Sequence, residues 1–483
     1  MRPALALLLL LSCTPACPQS DISRLLFDLR FDKIHQACSP SPPDHKDRLS
    51  ELYLDNYIYF LKSLTAGDDR SYWDYRFNTD RHTEEMKALA ETGPEYLHYL
   101  SLINIQSAIL AIDHDNAWIA TRHYYAAWRM VHYNLKQYPG YIPDLMPLGI
   151  LEIIAGTIPQ EYVWLMKRVG IKGTIASGQA KLAGYHARCA REDQLEATLI
   201  MALSFYQFSP QEAKAYEFLQ PFSTQYSGIE LYDYLLSLAA MKAGHNDVAI
   251  RILKQMVEES GSCNFPYICL LLGEAKLNRL DADANTYLMK FLEEYNGGNY
   301  VRMACHKLSW YYFLNNDLHR YEQMRGKVLT MGKNLTEADR QAFLEASDTA
   351  ALNPLLLSAR LLSDGGYYDK SIELLTGPAR SSLRTARDSL EFFYRLGRLY
   401  QKKGDRANAI AQYRQVIKQG AGQQYYFIVN AMLQMGIIAE EEGRYHEAEN
   451  YYHSCLVIEK VQYRRSIDQK AKAGLDRVKA LMR

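Results

Sequence analysis

Apolar residues return at intervals of three and four along most of the chain, the spacing that puts one buried stripe on a helix. Leu25, Leu26, Leu29 and Ile34 mark a first amphipathic segment, closed by Ser39-Pro40-Ser41-Pro42-Pro43, and a second runs from about Asp44 to Leu64. An aromatic, charged loop is expected from Gly67 to Asp80, holding Tyr72, Trp73, Tyr75 and Phe77. Gly93-Pro94-Glu95 opens another helix, with proline at its first position and an acid behind it. Asp113-His114-Asp115 interrupts the pattern before a long helix from about Asn116 to Lys136, and a further helix spans Asp144 to Ala155. The glycine-rich stretch from Gly170 to Gly178 reads as a flexible elbow. Its Gly173 and Gly178 have a phosphate-loop interval, but Gln179-Ala180 stands where Lys-Ser/Thr belongs and no strand precedes it.

From Glu192 onward the helices come in pairs. Ser209-Pro210-Gln211-Glu212 has the form of a capping box, and Thr336-Glu337-Ala338-Asp339 starts a later helix. Divergent pairs are marked by Ala240, Gly244, Ala249 and Leu253, by Leu272-Gly273 and Leu292, and by Leu308, Trp310 and Tyr312 before Asn315-Asn316. A weak copy with Leu362, Gly366, Ser371 and Leu375 precedes two clear ones. In the first clear copy Phe393, Leu396, Gly397, Tyr400, Ala409, Tyr413 and Val416 hold the 4-7-8-11-20-24-27 spacing of a helix-turn-helix repeat; in the second, Met432, Met435, Gly436, Ala439, Ala448, Tyr452 and Cys455 hold it again. Gly404-Asp405 and Gly443-Arg444 fall at the turns. This stretch resembles the tetratricopeptide-repeat (TPR) superfamily. The resemblance implies a TPR-like solenoid of antiparallel helix pairs at 192–456; with the helical pattern before it, the expected fold is all-α, with a helical N-terminal domain at 21–191 and a capping helix at 457–483. That last segment carries eight Lys or Arg against three acids, the solvated outer face that the end of a repeat array requires.

Charge and composition narrow the setting. Lys and Arg number 55 and so do Asp and Glu, so no net field draws the molecule to nucleic acid or to acidic lipid. Tyrosine is abundant, at 37 residues against 5 tryptophans, and is expected to fill inter-helix space with its hydroxyl in water. Residues 1–16 read as an export signal, with Arg2 before the apolar run Ala4 to Leu11. Leu10-Leu11-Ser12-Cys13 resembles a bacterial lipobox, which makes Cys13 a lipidation site; cleavage after Ala16 is the alternative. Cys38, Cys189, Cys263, Cys269, Cys305 and Cys455 follow, widely spaced and without a zinc or redox framework.

No catalytic constellation stands out. The histidines are scattered, His446-Glu447 lacks a second histidine, and there is no nucleophile elbow. No catalytic, cofactor-binding or metal-ligating residue is therefore assigned. The TPR resemblance implies a groove lined by places 2, 5, 9, 12 and 13 of each first helix. These are Glu391, Tyr394, Arg398, Gln401 and Lys402 in one copy, with Asn430 at place 2 of the next. Arg398 and Lys402 lie one turn apart, as a carboxylate site requires, although Tyr394 and Arg398 depart from the Lys and Asn of the family's chaperone clamp. The expected function is a non-catalytic binding or assembly scaffold, exported to a bacterial envelope and meeting a protein or peptide partner, with no nucleic acid and no cofactor. The alternative is a glycan-binding outer-membrane lipoprotein that stacks sugars on Tyr72 to Phe77.

Overall fold

A computed structural model describes residues 19–37, 45–89, 93–158, 170–260, 265–348, 350–423, 425–458 and 464–482, together with Trp164 and Arg168. The export signal, Cys13, Cys38 and Cys263 lie outside the described residues. Those described form helices joined by short turns, with no strand among them. They divide into two compact units. The first takes in the described residues through Lys276 with Asp283–Tyr312 and Leu318–Asp348; the second is Leu277–Ala282, Phe313–Asp317 and Thr349–Arg483. No helix among the described residues is long and apolar enough to cross a membrane.

One hydrophobic cluster runs through the first unit from Ile22 to Ala275. Polar ties cross it. Asn56 donates to Gln106 at 2.9 Å and accepts from Thr79 at 2.8 Å, while His98 and Asn134 both bond the buried Asp144, at 2.8 and 2.7 Å. Three tyrosine hydroxyls join these ties, while Tyr125 and Tyr133 reach water as expected from composition. Tyr57 donates to Glu196, Tyr75 pairs with Ser107, and Tyr232 donates to the Leu219 carbonyl. A buried phenol needs a partner, and the facing helix supplies one.

Three local expectations are corrected. The aromatic stretch at 67–80 is helical from Asp69 to Ala88, capped by the Asp68 side chain on the Ser71 amide. Its Tyr72 and Tyr75 face the core, which leaves Trp73 and Phe77 as the exposed rings. Gly178 is no elbow: it lies in the helix Ile175–His186, where an added Cβ would sit 2.4 Å from the Gly149 carbonyl oxygen, so it is a helix-crossing contact. Ser209 ends the helix Gln194–Phe208 and does not start the next, which begins at Lys214. Thr336 does cap its helix, bonding the Asp339 amide at 2.9 Å.

In the second unit the repeat pattern has a direct physical reading. The helices Pro354–Asp364, Ala386–Lys402, Tyr426–Glu441 and Arg464–Leu481 each pack on the next, and Tyr368–Thr376, Arg406–Gln419 and Tyr445–Val457 back them. A Cβ on Gly397 would lie 2.6 Å from the Tyr413 ring, and one on Gly436 would lie 2.7 Å from the Tyr452 ring. The small residue is the seat on which each tyrosine ring rests. In both copies the tyrosine hydroxyl then returns to the first helix, Tyr413 to Gln401 and Tyr452 to Glu440, each at 2.6 Å. Gly474 in the last helix meets the other face of Tyr452, where a Cβ would come within 2.5 Å. That helix therefore packs as the first helix of one more unit, and Arg477 clasps Glu440 at 2.7 and 2.9 Å. Gly404 and Gly443 adopt φ of 79° and 73°, and the amide after each bonds back to Tyr400 and Ala439, the left-handed stop that lets the second helix fold against the first.

Candidate groove on the first helices of the second unit

Ala359, Gly397 and Gly436 occupy the same place in three successive first helices, and Ser371, Ala409 and Ala448 face them from the second helices. With that register set, the residues one position beyond the small residue are Arg360, Arg398 and Ile437. The groove positions expected from sequence all lie on this layer and all are half-buried.

Tyr394 is at its centre. Its ring lies 6.4 Å from Tyr413, 6.2 Å from Tyr426 and 5.6 Å from Phe427, bridging consecutive first helices. Burial raises its phenol pKa, while Arg398, Arg395 and Arg360 pull the other way. All three guanidinium charges therefore act on one hydroxyl. Glu391 is occupied by an i,i+4 ion pair with Arg395, whose Nε donates at 2.8 Å. Arg395 resists the neutralising effect of burial because Glu391 and the neighbouring Tyr426 phenol hold it charged, and Arg360 opposes it. Arg398 donates to Gln401 at 3.3 Å, and Gln401 also accepts from Tyr413. Lys402 follows one turn later, and Asn430 stands one turn after Tyr426 on the next helix.

The structure thus gathers Glu391, Tyr394, Arg398 and Gln401 into one hydrogen-bonded and ring-packed neighbourhood. It adds residues the sequence reading passed over: Arg360, Asp364, Arg395 and Tyr426. Arg360 and Asp364, 3.9 Å apart, belong to the weak copy. The register of Leu362, Gly366, Ser371 and Leu375 already puts Ala359 at the place of Gly397 and Arg360 at that of Arg398, but the groove places of this weak copy were not read out. Arg395 sits at a place outside the groove set and was invisible to a position rule. Chemically the cluster holds three arginines against two carboxylates, with phenol hydroxyls beside them, which suits an acidic group laid across adjacent helices.

The family model described as Tetratricopeptide repeat matches residues 390–419, most of one helix pair in this layer. Among solved structures, the chain is similar to the crystal structure of the P58(IPK) TPR domain, at 14% identity and a TM-score of 0.23, covering 84% of this chain and 98% of that one. No curated protein matches it.

Proposed function

We propose that this chain, whose residues 390–419 match the tetratricopeptide-repeat model, is a non-catalytic scaffold in a bacterial cell envelope, since repeats of that kind supply binding surfaces. In this reading its second unit takes an extended acidic segment of a protein partner along the first helices. The observation that carries the reading is the equivalent placement of Arg360 and Arg398, each one position beyond the small residue of successive first helices, with Arg395 next to Tyr394; the charges of all three oppose the burial that raises the Tyr394 phenol. An extended segment crossing the helices meets Arg398 and then Arg360 at the same place of adjacent repeats, so acids spaced along it meet both.

Export is supported by the apolar run Ala4 to Leu11 behind Arg2 and by Cys269, which is disulfide-bonded, a state favoured outside the reducing cytosol. Cys189, Cys305 and Cys455 are free thiols, so the partner of Cys269 lies outside the described residues. Lipidation at Cys13 is the proposed anchor. Crosslinking in envelope fractions, with mass spectrometry, tests the scaffold: wild type should recover a defined protein, and the Arg360→Glu/Arg398→Glu double variant should lose it. Equal recovery by wild type and the double variant overturns the groove assignment; no protein partner, with a sugar that raises melting temperature, favours the glycan alternative. Membrane attachment that survives Cys13→Ala rules out the lipid anchor.

A further inference from the structure

The helix Ala117–Gln137 in the first unit has two sides of different chemistry. Its inner side holds Ala120, Tyr124, Ala127, Trp128, Val131 and Asn134, all buried. Three of its residues tie it to neighbouring segments. Nδ1 of His123 lies 2.8 Å from the Asn104 side-chain oxygen, the Tyr124 hydroxyl donates to the Leu151 carbonyl at 3.0 Å, and Asn134 donates to Pro94 and Asp144 at 2.9 and 2.7 Å. The helix is therefore a fixed rod with one side left over.

That side is a single stripe. At 3.6 residues per turn, Trp118, Arg122, Tyr125, Arg129, Tyr133 and Lys136 fall within about 80° of arc and run ~27 Å along the helix, ring and cation in alternation. All six are exposed, Trp118 by 73%, Tyr133 by 58% and Tyr125 by 39%. None of them has a hydrogen bond, ion pair or ring contact to any described residue. Elsewhere on the surface arginines are paired with carboxylates, as Arg48, Arg340, Arg406 and Arg477 are. Residues 116–143 contain no Asp or Glu, so this stripe carries charge of one sign although the whole chain is neutral. Trp73 and Phe77 are exposed too, but their helix places Asp80 and Glu84 on the same side and has no such polarity.

Tryptophan is highly buried on average, so a ring left 73% exposed and unstacked beside unpaired cations marks a surface that something covers. The chemistry of the stripe selects the occupant. Trp and Tyr settle at the level of lipid headgroups, the ring toward the acyl chains and the polar edge in water. Arginine and lysine meet phosphate at that level. An acidic peptide would answer the cations and leave the three rings in water. Single-stranded nucleic acid would answer both, but a chain read as exported meets lipid instead. No described helix is long and apolar enough to cross a membrane, so the contact is peripheral.

We propose that the outer side of the helix Ala117–Gln137 is a contact site for an anionic phospholipid surface. Arg122, Arg129 and Lys136 take the phosphates, and Trp118, Tyr125 and Tyr133 enter the headgroup boundary. This rests on the reading that the chain works in the cell envelope. To the anchor proposed at Cys13 it adds a contact that orients the first unit against the membrane.

The test is sedimentation of the purified full chain with vesicles of phosphatidylglycerol and phosphatidylcholine, beside vesicles of phosphatidylcholine alone. Every variant shares residues 1–16, so differences between variants report the stripe. Wild type should bind the anionic vesicles the more tightly. Arg122→Gln/Arg129→Gln should weaken that binding on the order of twentyfold, about fivefold for each cation withdrawn from an anionic surface. Lys418→Gln/Lys472→Gln removes the same charge from exposed positions in the second unit and should leave binding unchanged. Trp118→Ala should weaken it with charge unaltered, and the blue shift of tryptophan emission on vesicles should shrink in that variant. Helical circular dichroism checks that each variant is folded. No binding to anionic vesicles, or a loss in Arg122→Gln/Arg129→Gln no larger than in the control pair, overturns the proposal. Binding to a single-stranded oligonucleotide that is tighter than to vesicles, and lost in the same variant, overturns it in favour of a nucleic-acid site. Vesicle binding by the purified chain needs neither export nor Cys13, so its failure is distinguishable from a failure of the envelope reading, which fractionation of cells reports. The Arg360→Glu/Arg398→Glu variant should bind vesicles as wild type does while losing the acidic partner.

Discussion

Replacing Asp113 by Asn removes a charge that the fold carries at a cost. Burial lifts this carboxyl from its ordinary 3.8 to about 6, against the opposing pull of His114 and Lys333. The native state therefore holds the proton more tightly than the unfolded chain does, and stability falls as pH rises through this window. At about 1.4 kcal/mol per pH unit, the charge costs roughly 3 kcal/mol once fully ionised. Solvent remaining at the half-buried carboxylate reduces this to about 2 kcal/mol. Asparagine has nearly the same shape, and the aspartate side chain has no bond to lose. Urea unfolding of wild type and Asp113→Asn, followed by helical circular dichroism across the acid-to-neutral range, gives the difference directly. It should be near zero at pH about 4 and should grow, with the variant the more stable, to about 2 kcal/mol above pH 7. The comparison has to be between variants, because burial also raises Asp193 and Glu230, each to about 7, and lifts Glu196; these titrate in both proteins. A variant that is less stable at neutral pH, or a difference that does not change with pH, refutes the reasoning.

The remaining expectations concern the repeat layer and the cysteines. Gly397→Ala drives a methyl group to 2.6 Å from the Tyr413 ring and should cost about 1–3 kcal/mol by thermal or urea unfolding. Gly404→Asn, at φ 79° with open space around it, should cost well under 1 kcal/mol, because asparagine tolerates the left-handed region. Arg477→Ala should loosen the last helix, seen as faster amide exchange between Arg464 and Leu481. Burial pushes Glu440 up, but Arg477 and the Tyr452 hydroxyl outweigh it and hold its carboxyl below the ordinary range. That stabilisation is present above the unfolded value and lost as pH falls through the folded one, so the variant's effect should shrink in acid. Alkylation of the denatured, unreduced protein should label Cys189, Cys305 and Cys455 and leave Cys269 unmodified until a reductant is added.

The sequence by itself determined the helices, their pairing in the repeat region and most of their turns. Each of these depends on neighbours close in the chain. A helix stripe repeats within a few residues, a left-handed glycine ends the turn it occupies, and Gly397 with Ala409 lies within one helix pair. The same locality made Glu391, Tyr394, Arg398, Gln401, Lys402 and Asn430 nameable in advance, because a repeat register assigns faces without coordinates. Local pattern misled where a segment's surroundings overrode it. The aromatic run from Tyr72 to Phe77 looked like a loop because its charged and aromatic residues mask the helical period, yet two of its rings had a core to enter. Gly178 looked flexible because a glycine's partner across a helix crossing, here Gly149, is not adjacent in sequence. Only the tertiary structure brought Tyr426 to the ring of Tyr394 and let the charge of Arg360 act on it, and only it let the Asp113 charge act on tyrosines more than 150 residues further along the chain. Ion pairing, desolvation and ring contact act through space over a few ångströms. Which distant residues come that close is decided by how the helices pack.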